Sequence, residues 1–331
     1  MRPSSPWAGR SVLVTGAQGF IGTWLTRRLL EEQARVVVLK RPSTAGGHFA
    51  REGLDQRCEQ VQIDLLDHGS ILRALNEQEV EVVFHLAAQT IVGAANSFPL
   101  NTFEANVRGT YNLLEACRLL RRGGAATRVL VASSYHVYGS HDGRPYVETM
   151  ELRPGYPYDV SKACADMIAR SYAVTYELPV AVTRLANVYG GGDLNFSRLV
   201  PSTARALVAG ERPVIRSDGS PERDYIYVED AVEAYLAAAR SLDSPELGGR
   251  AWNAGAGTAT SVLEVVRRLI AASGRDLEPE VQGLAGPRDE IDRQWLDSTA
   301  IRDELGWGPR VSLDEGLASA YAWYERELAS L

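Results

Sequence analysis

A chain of 331 residues with 45% hydrophobic content has enough apolar material for one large or two modest buried cores. Its 42 acidic and 35 basic side chains leave a net charge of −7, which gives no basic surface of the kind that nucleic acid or an anionic membrane requires. Three widely spaced cysteines (Cys58, Cys117, Cys164), no run near the ~20 apolar residues that span a bilayer and no leader-like start together predict a soluble, cytoplasmic protein with neither disulfides nor a metal site.

Residues 12–22 read as strand, tight turn and helix. The apolar run Val12-Leu13-Val14 breaks into Gly16, Gly19 and Gly22, and helical spacing resumes at Trp24, Leu25, Leu29 and Leu30. Gly16 permits the turn, Gly19 lets the backbone approach a pyrophosphate, and Gly22 lets the helix pack on its strand, with Phe20 and Ile21 opening that helix. Alone, the pattern is also that of a plain glycine loop. A second strand over 35–39 ends in Lys40-Arg41-Pro42. At such a strand end a carboxylate accepts from an adenosine 2′-hydroxyl and a cation suits a 2′-phosphate, so Lys40 and Arg41 lean toward a phosphorylated dinucleotide or are two solvated charges.

A third strand over 61–65 carries Asp64, placed to accept from an adenine amino group. A fourth over 80–86 runs into Leu86-Ala87-Ala88-Gln89, where small residues let a cofactor lie against the backbone. Residues 102–121 show helical periodicity through Phe103, Val107, Tyr111, Leu114 and Cys117, and 129–132 form a fifth strand. Strands alternating with helices predict an α/β fold with a doubly wound parallel sheet.

The fifth strand ends in Ser133-Ser134-Tyr135-His136, beyond a carboxyl edge where such sheets bind ligands. Further on, Tyr158 and Lys162 share one face of a helix at a spacing of four. The Lys162 ammonium, with the positive ring of an oxidised nicotinamide, would favour phenolate and draw Tyr158 from about 10 toward neutrality, while Ser134 holds the same substrate oxygen. Alone, the pair is also an ordinary surface pair; after a glycine turn and a strand-end serine it reads as a proton-transfer site. Beyond Asn187 a helix over 199–208, short strands over 214–216 and 225–227, a helix over 228–239, a strand over 251–253 and amphipathic helices over 262–272 and 313–328 predict two interleaved lobes. The first is 1–186 plus about 226–257, and the second about 187–225 and 258–331.

Taken together these stretches resemble the extended short-chain dehydrogenase/reductases of the nucleotide-sugar epimerase and dehydratase family. The resemblance is carried by Trp7-Ala8-Gly9-Arg10 leading into the glycine turn, His85 to Gln89, Thr102-Phe103-Glu104-Ala105-Asn106-Val107, Tyr158 with Lys162, Asn187-Val188-Tyr189-Gly190-Gly191-Gly192-Asp193, Arg223-Asp224-Tyr225 and Leu305-Gly306-Trp307. The Gly19-Phe20-x-Gly22-x-Trp24-Leu25 opening, the segment from Thr102 and the triple glycine with Arg198-Leu199-Val200-Pro201 are most similar to the CDP-glucose 4,6-dehydratase branch. The resemblance implies a Rossmann domain carrying NAD, or NADP because of Lys40 and Arg41, and a lobe that clamps a nucleotide-diphosphate sugar. It implies cofactor contacts at the three glycines, Phe20, Ile21, Asp64, Leu65, Leu86, Ala87, Ala88, Gln89, Asn106, Ala132, Tyr158 and Lys162. It implies substrate contacts at Thr90, Ser134, Asn187, Leu199, Val200, Arg216, Arg223 and Arg288. Tyr158 would take the proton of the sugar 4-hydroxyl, and a homodimer would form through the helix after Gly93 and the Tyr158 helix.

One departure bears on the reaction. Where dehydratases of the family place an Asp with Glu or Lys as acid and base, this chain has Tyr135-His136, and a tyrosine near 10 is a poor acid for a departing hydroxide. A 4-epimerase needs no such pair, so 4-epimerisation is the leading expectation. His136 is either a C5 base or pocket wall. A 4,6-dehydratase using both residues, a 4-keto-sugar reductase and a cofactor-binding regulatory protein are the alternatives.

Overall fold

The computed structural model describes residues 5–40, 47–122, 127–141, 143–284 and 291–328. Thirteen strands follow one another among the described residues: β1 (Ser11–Thr15), β2 (Arg35–Lys40), β3 (Glu59–Gln62), β4 (Val82–His85), β5 (Arg128–Ser134), β6 (Val180–Leu185), β7 (Asn187–Tyr189), β8 (Val214–Ile215), β9 (Glu222–Tyr227), β10 (Ala251–Ala254), β11 (Ala259–Ser261), β12 (Glu280–Val281) and β13 (Arg293–Gln294).

Seven of them pair in parallel in the order β3-β2-β1-β4-β5-β6-β10. The order reverses between β1 and β4, which opens a crevice at the carboxyl ends of those strands. β1, β4 and β6 are buried along their whole length, as strands must be when helices cover both faces of a parallel sheet. Alternate residues feed separate cores. Val12 and Val14 join Leu25, Leu29 and Tyr235 on the side of helices Phe20–Glu31 and Val228–Ser241. Leu13 joins Leu113, Leu114 and Leu178 on the side of helices Gly109–Arg122 and Pro157–Tyr176.

A second, smaller sheet is built around β9, with β7 and β13 parallel to it and β11 antiparallel; β8 and β12 form a separate pair. Helices Leu199–Val208, Val262–Ser273 and Leu313–Leu328 enclose a third apolar cluster that includes Val200, Leu207, Val266, Leu269 and Tyr324. Asp224 on β9 is fully buried and accepts the backbone N–H groups of Ala256 (2.9 Å), Gly257 (3.2 Å) and Leu296 (3.1 Å), so one carboxylate ties three segments together.

Several element bounds differ from the sequence expectation. β3 lies at 59–62 rather than 61–65, because it is a sheet edge with mostly exposed side chains and little apolar signature. β9 starts at Glu222 because its polar first half pairs with β11 and β13, which periodicity does not reveal. The continuous helix expected over 102–121 is instead a short helix (Pro99–Phe103), a π-helical turn (Glu104–Arg108) and a longer helix (Gly109–Arg122).

Candidate functional site

A cavity of about 1010 Å³ opens beyond the carboxyl ends of β1, β4, β5 and β6 and is roofed by residues between Asn187 and Pro201. Its floor is the glycine turn. Gly16 sits at φ +72°, and a Cβ there would lie 2.8 Å from the backbone nitrogen of Ala87; a Cβ on Gly22 would overlap the Gly16 carbonyl oxygen. Gly19 caps the helix Phe20–Glu31 with no acidic side chain in its first turn, so the helix N-terminus presents unopposed N–H dipoles. These features fit a dinucleotide pyrophosphate, and the cavity continues past Asp64 and Leu65 on one side and Ala132 on the other.

Behind the cavity wall, a row of hydrogen bonds fixes the end of β4. The backbone N–H of Ala87 donates to Thr15 Oγ1 (3.1 Å), Thr15 Oγ1 meets His85 Nδ1 (2.8 Å), His85 Nε2 meets Thr110 Oγ1 (3.0 Å), and Thr110 donates to the Asn106 carbonyl (2.6 Å). An N–H at one end and a carbonyl at the other leave one direction for the protons. His85 is the neutral Nε2–H tautomer, accepting from Thr15 and donating to Thr110. Burial, reinforced by the Lys162 charge, lowers its pKa to about 3.

The π-helical turn explains Asn106. Its Oδ1 accepts from Gln89 N–H (2.6 Å), and its Nδ2 donates to the Gln89 carbonyl (3.1 Å) and to Ser161 Oγ (2.8 Å). Ser161 in turn donates to the Tyr158 carbonyl (2.7 Å), so the strand-β4 loop and the first turn of helix Pro157–Tyr176 are locked together. Asn106 and Gln89 are therefore supports beside the cavity and not among the residues that line it.

Ser134, Tyr158 and Lys162 meet in the cavity from β5 and that helix. Burial pushes the Tyr158 phenol up to about 12, opposed by the Arg198 charge and a hydrogen bond from Ser134. Lys162 is buried and donates to the Ala132 carbonyl, and burial lowers it to about 8. The sequence expectation that Lys162 draws Tyr158 toward neutrality is not what the protein's own groups produce: the cation opposing burial is Arg198, because the Lys162 ammonium is directed at a backbone carbonyl.

The two residues after Ser134 part company. His136 lines the cavity, with its backbone N–H on Ser134 Oγ (3.3 Å), its Nδ1 3.4 Å from Asp159 Oδ1 and its ring edge-on to Tyr158 at 5.9 Å. Burial and the Arg223 charge lower its pKa to about 4. Tyr135 does not line the cavity: it is fully buried in the main core, its hydroxyl has no hydrogen-bond partner among the described residues, and burial raises its pKa steeply.

Of the other expected residues, Phe20, Ile21, Leu86, Ala87, Ala88, Thr90, Asn187, Leu199 and Val200 line the cavity with Gly16, Gly19 and Gly22. Lys40, Arg216 and Arg223 do not. Lys40 is half-buried at the end of β2, where Leu39 faces the cavity instead, and Arg216 is exposed just beyond β8. Arg223 donates to the carbonyls of Glu222 (2.9 Å) and Asp292 (3.3 Å) beside the site. Arg41 and Arg288 lie outside the described residues.

Two residues to which the sequence motifs gave no role of their own hold the roof. Arg198 lines the cavity and is held by buried Asp193 (2.9 Å), and Trp24 of helix Phe20–Glu31 donates to the Gly191 carbonyl (2.8 Å). Both stand inside motifs that carry the family resemblance and were read there for their glycines and apolar positions; their polarity was the available signal. Among the described residues no cluster of side chains could hold a metal, and no helix is long and apolar enough to cross a membrane.

The fold is shared with known proteins. The chain is 35% identical over 320 residues to the UDP-glucose 4-epimerase of Mycolicibacterium smegmatis, covering 95% of this chain and 98% of that one. It is 34% identical over 322 residues to a dTDP-glucose 4,6-dehydratase of Streptomyces griseus, covering 95% and 94% respectively. The crystal structure of UDP-glucose 4-epimerase from Thermotoga maritima with UDP-glucose matches at a TM-score of 0.85 and 30% identity, covering 96% of this chain and 99% of that one. Residues 12–255 match the family model described as the NAD dependent epimerase/dehydratase family, and the chain belongs to that family.

Proposed function

We propose that this enzyme is a nucleotide-diphosphate-sugar 4-epimerase. The observation that carries the reading is the pair of residues after Ser134. The only one that reaches the cavity is His136, and the Tyr135 hydroxyl, which would have to protonate a departing 6-hydroxyl in a dehydratase, is buried away from it. NAD supplies hydride acceptance and return at the sugar C4. Tyr158 takes the proton of the 4-hydroxyl and gives it back, Ser134 holds that oxygen, and Lys162 braces the end of β5 at the Ala132 carbonyl. Asn187, Leu199 and Val200 from the roof, with Arg198, face the nucleotide sugar. Asp64 is the carboxylate at the adenosine end, and with Lys40 outside the cavity lining NAD is favoured over NADP.

The relation to dehydratases supports a second reading, 4,6-dehydration. Incubation with UDP-, dTDP- and CDP-glucose separates the two. A stereoisomer of unchanged mass is expected, and a dehydrated 4-keto-6-deoxy product absorbing in alkali would overturn the epimerase reading. We also propose a cytoplasmic homodimer. Phe98 (64% exposed) at the junction of two short helices and Leu100 (70%) on the second of them, with Met167 (60%) and Val174 (81%) seven apart on helix Pro157–Tyr176, form an apolar face suited to a second copy. Sedimentation of wild type and Val174→Glu tests it.

A further inference from the structure

We propose that Asp166 is a positioning residue for the reaction: fixed by Arg184 behind the cavity, its carboxylate is the counter-charge that holds Lys162 as an ammonium. The counter-charge matters because of the place given to Lys162 in the proposed reaction, on which the inference rests.

Tyr158, Lys162 and Asp166 follow one another at spacings of four on helix Pro157–Tyr176 and so share the face that the helix lays on the sheet. Lys162 donates to the carbonyl of Ala132 on β5, and Asp166 meets Arg184 on β6. These strands are neighbours, with Ala132 paired to Thr183 and Ser133 to Arg184, so the ammonium and the guanidinium are bound one register position apart. Asp166 (0% exposed) and Arg184 (1%) are sealed from water. Arg184 Nε and Nη2 donate to the two carboxylate oxygens at 2.8 and 3.1 Å, a forked contact that fixes Asp166 as the anion. The remaining arm, Nη1, donates to the Tyr138 hydroxyl at 2.8 Å, and that hydroxyl donates to Asn253 Oδ1 at 2.7 Å. The cation is thus gripped from β10 as well as from the helix, and the carboxylate is held with it.

A lysine in this place needs such a group. Burial favours the neutral amine and lowers Lys162 to about 8, and Asp166 is the charge that opposes it. The charged and titratable groups on the surrounding elements are engaged elsewhere. On β4, His85 is neutral between its two threonines. Glu104 pairs with Arg108 on the π-helical turn, Glu115 with Arg118 on helix Gly109–Arg122, and Arg128 of β5 with Asp243. Asp159 faces His136, Tyr158 is a neutral phenol, and Arg198 on the roof is a further cation. The short helices Val92–Ser97 and Pro99–Phe103 carry no charge.

An ammonium has three N–H groups and an amine two. One is spent on the Ala132 carbonyl, and among the described residues Lys162 makes no other hydrogen bond, so its protonation decides whether two or one are left for the cavity that it lines. A buried ion pair is not in itself a gain in stability, since apolar side chains of similar volume often do as well. Beside Lys162 the pair supplies what an apolar pair could not, a negative charge one helical turn away.

The chain contains only two lysines, Lys40 and Lys162, which makes this charge directly observable. The NAD-loaded protein is labelled with lysine carrying ¹³C at Cε, the two NMR signals are assigned with Lys40→Arg, and each is titrated. Removing the carboxylate removes the charge that favours the ammonium, so Lys162 in Asp166→Asn should titrate about one pH unit or more below wild type, a tenfold shift, and Asp166→Glu should bring it back to within about half a unit. Asp166→Asn leaves Arg184 buried without its partner, so the double variant Asp166→Asn/Arg184→Gln is titrated beside it; no charge is then stranded, and the same lowering is expected. Turnover, followed on whichever of UDP-, dTDP- and CDP-glucose the wild type converts, should lose its alkaline side at a correspondingly lower pH in these variants, which a loss of packing alone would not do. A Lys162 titration that is the same in the double variant as in wild type overturns the assignment, and so does a shifted titration with an unmoved pH profile. If the wild type converts none of the three sugars, the proposed function fails and the titration alone decides the counter-charge. A dehydrated product overturns only the epimerase reading, and the profile is then followed on that product.

Discussion

Tyr158 begins with a disadvantage as a base, since burial holds its phenol at about 12. The chain offsets this with Ser134 and the Arg198 charge, and the positive ring of oxidised NAD adds to them when bound. Removing the hydroxyl in Tyr158→Phe should lower turnover by about 10²–10⁴-fold while the protein stays folded and binds NAD; activity within tenfold of wild type would show that the proton acceptor lies elsewhere. His85 gives a prediction of a different kind. It is neutral and sealed between two threonines, with a folded pKa of about 3 against 6.5 for an ordinary histidine. Between those values the unfolded chain binds a proton that the folded protein refuses. Its contribution is therefore complete above pH 6.5 and is lost as pH falls toward 3, by up to about 1.4 kcal/mol per pH unit. Urea midpoints measured from pH 7 to 4 should fall less steeply in His85→Gln than in wild type, and parallel curves would refute the linkage.

The π-helical turn at Glu104–Arg108 is where an element and the site depend on each other most directly. It aims Asn106 inward, and the three hydrogen bonds of that amide join the loop after β4 to Ser161 and so to the Tyr158 carbonyl. Asn106→Ala strands Gln89 and should cost about 1–3 kcal/mol of stability. Asn106→Asp keeps the bond from Gln89 N–H but sets a buried carboxylate oxygen against the Gln89 carbonyl and Ser161 Oγ, so it should cost at least as much as Asn106→Ala. Chemical denaturation of the three proteins checks the order. Little of this was legible in the sequence, because 3.6-residue periodicity tolerates one wide turn and Phe103, Val107, Tyr111 and Leu114 predict a continuous helix. Helices Leu199–Val208 and Leu313–Leu328 were readable to the residue, since each lays one apolar face on a core. The site divides in the same way. Ser134, Tyr158, Lys162 and the glycines carry their chemistry in residue type and spacing, whereas the Asp159–His136 approach exists only after the helix has been docked on the end of β5.

At the scale of the molecule, the first helix and the last are joined beside the cavity through the glycine-rich loop at 190–193. Trp24, on the first helix of the nucleotide-binding half, donates to the Gly191 carbonyl at 2.8 Å. From the far side Tyr324, on the last helix, donates to the Asp193 carbonyl at 2.7 Å, and buried Asp193 then holds Arg198 over the cavity. Gly191 and Gly192 are required here, because a Cβ on Gly191 would overlap the Trp323 ring and one on Gly192 would meet the His48 ring. One loop is thus gripped by residues 167 apart in sequence on one side and 131 apart on the other, and its position sets where the roof residues stand relative to Tyr158. Trp24→Phe and Tyr324→Phe each keep an aromatic ring and remove the donor, which for Tyr324 is shared between the Asp193 and Gly190 carbonyls, at a cost of about 0.5–1.5 kcal/mol each. If the two bonds hold the loop as a unit, the double variant should differ from the sum of the singles by 0.5 kcal/mol or more, about the smallest coupling a double-mutant cycle resolves. The same variants should raise KM for the nucleotide sugar several-fold more than they change NAD affinity, because the loop roofs the sugar side and the glycine turn is untouched. Additive effects on stability with an unchanged KM would mean that the loop stays in place without either bond, held by the apolar contacts of Trp24 and Trp323 alone.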